Sequence, residues 1–145
     1  VVTWKLPWRN SSAKTVPLAV GDPTLTVVVS GSDESVASSV ALGEAGFDGA
    51  EPVVVRHLLA VPVDQREAVS GRCVVEGYEV DAAVRAESDD AGTVIVAMAQ
   101  VMTVDAVTLS RARARMASIV SRVGGRVVGW ALLRPADTPV TGATD

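Results

Sequence analysis

Cysteine and histidine are almost missing from this 145-residue chain, with Cys73 and His57 as single occurrences. One cysteine excludes an internal disulfide and a multi-cysteine zinc site, and one histidine excludes mechanisms that need two imidazoles. Aromatic residues make up only 3%. That is too few for a sheet whose face stacks bases, so direct nucleic-acid binding is not expected. No apolar run approaches the ~18–20 residues needed to cross a bilayer. Lys5 and Arg9 are not followed by the apolar core of a secretory leader, and a lone thiol suits a reducing compartment, so a cytoplasmic protein is expected. Gly-x-Ser-x-Gly is absent, which leaves α/β-hydrolase chemistry without a nucleophile. Gly31-Ser32-Asp33 lacks the further glycines and the lysine of a phosphate-cradling loop and reads as a helix cap. Asp89 and Asp90 supply too few ligands for a cation. No cofactor and no metal are expected.

What is abundant is valine, at 29 positions, and alanine, at 21. The length suits one domain able to bury roughly 68–70% of its unfolded surface. The net charge of −4 is unevenly spread. Residues 1–14 carry Lys5, Arg9 and Lys14 with no acid, residues 33–90 hold thirteen acids against four arginines, and residues 91–134 hold Asp105 against six arginines. An acidic middle points to solubility or to a basic partner.

Prolines 7, 17 and 23 break residues 1–23 into a flexible arm bearing Trp4 and Trp8, and residues 136–145 read as a flexible tail. Residues 24–135 form the expected domain. Thr24 to Ser30 is a β-branched strand, followed by a helix capped by Ser32 or Asp33 and ended by Gly43 and Gly46. Pro52 to Val61 is a second strand. Asp64 and Glu67 suggest a capping box for a helix stopped at Gly77. Glu79 to Glu87 alternates apolar and polar residues as a half-buried strand does, and residues 88–92 form a hairpin turn into a strand over Thr93 to Val101. From Asp105 to Val123, Leu109, Ala112, Met116, Ile119, Val120 and Val123 recur at helical spacing, with Arg111, Arg115 and Arg122 opposite. Arg126 to Leu133 is the last strand. From residue 52 the order is β-α-β-β-α-β, that of a ferredoxin-like α+β sandwich, with an additional β-α unit before it.

Several pieces of this order carry a resemblance. A helix ends in Glu76-Gly77-Tyr78-Glu79-Val80, the pair Asp89-Asp90 leads into a strand, Met116-Ala117-Ser118-Ile119 lies in a helix ending at Gly124-Gly125, and Gly129-Trp130 closes the chain. Arg56-His57-Leu58 precedes them on a strand. Together, over Glu51 to Pro135, they resemble the regulator of ribonuclease activity B family, small acidic ferredoxin-like proteins that bind and restrain ribonuclease E. The sequence departs from the family at Val128, where an acid is usual, and in its nearly missing acidic tail. The resemblance implies a non-catalytic regulator whose partner is a protein, an endoribonuclease with an Arg-rich segment.

The residues that would meet such a segment are Glu76, Tyr78, Glu79, Asp81, Asp89, Asp90 and Trp130, with the acids forming an edge along one strand. Two alternatives stay open: a small-ligand sensor of ferredoxin-like type, and a dimeric ferredoxin-like enzyme using His57 and Tyr78 as an acid/base pair. Trp130 is expected to be buried, with its indole N–H on an acceptor.

Overall fold

Val-rich segments become strands and the segments of helical period become helices throughout residues 18–85, 87–89 and 91–136, which the computed structural model describes. The order is β1 (Leu25–Gly31), α1 (Ser38–Ala45), β2 (Val53–Pro62), a 3-10 turn at Val63–Gln65, α2 (Arg66–Val75), β3 (Glu79–Val80), β4 (Glu87–Ser88), β5 (Thr93–Met102), α3 (Ala106–Ser121) and β6 (Arg126–Pro135). The fold is α+β. All six strands join one antiparallel sheet in the order β1-β6-β2-β5-β3, with β4 also paired to β5.

β2 is central, which explains why its sequence is apolar on both faces. Leu59 and Val61 pack with Val69 and Cys73 of α2 and with Met116, Ile119 and Val120 of α3. Val53 and Val55 pack with Leu42 of α1, Leu109 of α3 and Trp130 of β6. Val54 points the other way, toward Ala99, Ala131 and Leu133, where Leu18, Val20 and Leu25 cover it. The sheet therefore recruits Leu18 and Val20 from the segment that the sequence assigned to the arm.

α3 forms as expected. Asp105 accepts the Thr108 N–H at 2.8 Å and the Thr108 hydroxyl accepts the Asp105 N–H at 2.9 Å, a reciprocal cap. Leu109, Ala112, Met116, Ile119 and Val120 are buried, while Arg111, Arg115 and Arg122 are exposed.

Three local expectations need correction. α1 starts at Ser38, not beside Ser32 or Asp33, because the Asp33 carboxylate accepts the Ser35 N–H and hydroxyl at 2.9 and 2.6 Å and closes a turn of its own. The Asp64–Glu67 capping box does not form, since a 3-10 turn leads into α2 and no side chain caps it. The strand expected over Glu79 to Glu87 is two short pieces. Between them Asp81 turns inward to Arg56, and Val84 N–H bonds back to the Asp81 carbonyl at 3.1 Å.

Candidate functional site

His57 sits in the middle of β2, in register with Met98 of β5 on one side and Trp130 of β6 on the other. Gly77, at φ +96°, ends α2 and reverses the chain so that Tyr78 drops into the core. The Tyr78 ring meets the His57 ring edge-on, with centroids 5.5 Å apart and planes at 71°. From α3 the Arg113 guanidinium lies over the Trp130 ring at 5.5 Å. It donates to the Val36 carbonyl at 3.1 Å and to the Ser38 hydroxyl at 2.9 Å. The tertiary structure thus gathers His57 from β2, Tyr78 from the turn after α2, Arg113 from α3 and Trp130 from β6.

His57 is fully buried, and neither ring nitrogen has a hydrogen-bond partner among the described residues. Burial, then the charge of Arg113, pushes its pKa down to about 4, so the ring is neutral near pH 7. Burial also raises the Tyr78 phenol, and it pushes the Cys73 thiol up to about 11. The Cys73 sulfur lies 3.8 Å from the Met116 sulfur in the core. These are environments that hold neutral side chains, and they oppose a thiolate nucleophile or a phenolate base. No group of three or more residues fit to hold a metal ion occurs among the described residues.

The residues expected to meet a partner divide into two groups. Tyr78 (6% exposed), Trp130 (5%) and Asp81 (1%) are buried and do not form a surface. Asp81 accepts from Arg56 Nε at 2.8 Å and from the Ala83 N–H at 3.0 Å, which is why it leaves the acidic edge. Glu76, Glu79 and Asp89 are exposed. The Glu76 carboxylate meets Arg115 at 2.8 Å, and this contact holds its pKa below the usual range. Asp89 accepts the Ala91 and Thr93 N–H groups, each at 2.9 Å, and so secures the turn into β5. Glu79 pairs with Ala99 and Glu87 with Ile95, which sets both along the outer side of β5. Asp90 lies outside the described residues. Among those residues no acceptor meets the Trp130 indole N–H, contrary to expectation; the ring packs against Gly31 instead.

One feature was not singled out in the sequence. A cavity of about 260 Å³ opens between the β1–α1 loop, α3 and β6, with Arg113 and Trp130 in its wall. The available signal was spacing: Arg113 follows the buried Leu109 by four residues, so it points toward the sheet side of α3, unlike Arg111 and Arg115.

Compared with protein families, residues 34–131 match the model of the family described as regulator of ribonuclease activity B. The chain belongs to this family. The match spans α1 to β6 and includes His57, Tyr78, Arg113 and Trp130, so the gathered cluster lies wholly within the family region. It begins at Glu34, after β1. Comparisons with curated proteins and with solved structures returned no match.

Proposed function

We propose that this chain is a non-catalytic regulator that binds an endoribonuclease of the ribonuclease E type through a basic, Arg-rich segment of that enzyme. The family match over residues 34–131 carries this reading. The sheet order β6-β2-β5-β3, with α2 and α3 packed on one face, supports a ferredoxin-like core extended by β1 at its edge. The exposed acids Glu79, Glu87 and Asp89 along β5 are the surface offered to the segment, with Glu76 at its end and Asp90 in the same stretch of sequence. Tyr78 and Asp81 act from beneath, by fixing the chain that carries those acids, whereas Trp130 is buried on the β1 side of the sheet and lies away from that surface. No described helix is long and apolar enough to cross a membrane, and a cytoplasmic location is part of the proposal.

The test combines the purified chain with a purified ribonuclease E-type enzyme and a labelled RNA. Stoichiometric binding and slower cleavage are the expected result. A chain that neither binds the enzyme nor changes its rate, or one that cleaves the RNA by itself, overturns the reading.

A further inference from the structure

We infer that the outer edge of β1, with the groove between β1 and α1, is a docking site for an extended, basic segment of a protein partner that adds to the sheet as a further strand. The two edges of the sheet are built differently. At one, β3 and β4 are two residues each and carry acids, the short charged form that discourages strand pairing. At the other, β1 runs for seven residues, Leu-Thr-Val-Val-Val-Ser-Gly, and pairs only with β6. It contains no charge and no proline, and Val27 and Val28 are 50% and 39% exposed. Among the described residues its outward N–H and C=O groups have no strand partner, as strand addition requires.

The groove beside this edge has room for side chains. A register slip at Val28 puts Val28 and Val29 both on its wall, where strict alternation would separate them. It holds about 420 Å³ and meets the Trp130 cavity at Gly31, Ser32 and Asp33. Gly31 is required there, because a Cβ would stand 2.7 Å from the Trp130 indole nitrogen. Val28 and Val36 give the groove apolar surface, Asp33 and Glu44 supply its acids, and Glu34 lines the adjoining Trp130 cavity. Arg113 is the one base among the lining residues, and it is engaged by Val36, Ser38 and the Trp130 ring. The complementary occupant is a strand of alternating apolar and Lys/Arg residues. A second copy fits less well: antiparallel β1–β1 pairing would bring Asp22 of one chain toward Asp33 and Glu34 of the other. β1 also precedes the family match, and the site lies across the sheet from Glu79 and Glu87, so the inference stands apart from the ribonuclease reading.

The experiment titrates the isotope-labelled full chain with a short synthetic peptide of alternating Val and Arg, followed by amide chemical shifts. Shifts are expected along Val27 to Gly31 and at Val36 and Glu44. The same peptide with alternate backbone amides methylated, or with Glu in place of Arg, should not bind. Glu34→Lys with Glu44→Lys, both exposed, should weaken binding about tenfold and leave the remaining spectrum unchanged. Absence of shifts, shifts confined to the Glu79–Asp89 edge, or equal binding of the methylated peptide overturns the inference. So does dimerisation through β1 without peptide, which would make a second copy the occupant. The peptide controls leave the chain unaltered and remain decisive if the double variant misfolds.

Discussion

Asp81 and His57 are buried side chains able to carry a charge near neutral pH, and the fold treats them in opposite ways. Asp81 is ionically paired with Arg56 at 2.8 Å. Asp81→Ala is expected to cost about 2–4 kcal/mol, because Arg56 is then left largely buried and unpaired. Chemical denaturation of Asp81→Ala, Arg56→Leu and the double variant checks this, and the double variant should be more stable than Asp81→Ala alone. His57 has no partner and is held neutral. Its pKa is about 4 in the fold against an ordinary 6.5, so the unfolded chain binds the proton more readily. Stability from this residue is fully present above about pH 6.5 and is lost as pH falls toward 4, by roughly 3 kcal/mol in all. His57→Leu should flatten the profile in that window, as read from urea midpoints at successive pH values. Trp130 belongs to the same buried cluster, and in a variant lacking Trp4 and Trp8 its fluorescence should be blue-shifted. Water-like emission would contradict its burial.

At the scale of elements, α3 was the most legible piece of the sequence and β3–β4 the least. α3 announces itself through a local cap at Asp105 and Thr108 and through an apolar stripe, both contained within one segment. Met116→Ala is expected to cost about 2–5 kcal/mol. Arg115→Ala, which removes only a surface pair with Glu76, should stay within about 1 kcal/mol. Equal losses in thermal melts would contradict the orientation of the helix. The alternation over Glu79 to Glu87 is real, yet it produced no continuous strand. Asp81 found a partner on β2, 25 residues away, and one buried ion pair outweighed a weak local preference for pairing. α1 began late for a similar reason, since Asp33 could cap a turn before the helix as readily as the helix itself.

Across the whole molecule, the strands at the two edges of the sheet differ in charge. Glu79, Glu87 and Asp89 lie on the β5 side of the sheet, while β1 at the far side is uncharged along its length. A complex formed with an Arg-rich ribonuclease segment through the acidic edge should weaken as salt rises toward ~0.15 M, mainly by slower association. Glu79→Lys with Glu87→Lys should remove most of that salt dependence in stopped-flow binding. Unchanged kinetics in this variant would exclude the β5 edge as the partner surface.

By itself the sequence determined the alternation of strands and helices, the apolar stripe of α3, the family resemblance and the residue types of the cluster. These follow from periods of two and 3.6 residues and from short motifs, which act within a single segment. Only the tertiary structure decided that His57, Tyr78, Arg113 and Trp130 meet, that Asp81 is buried, and that β1 takes the free edge beside β6. Each depends on the register between segments tens of residues apart, and pairing across a sheet is selected by the burial of whole faces rather than by any local signal.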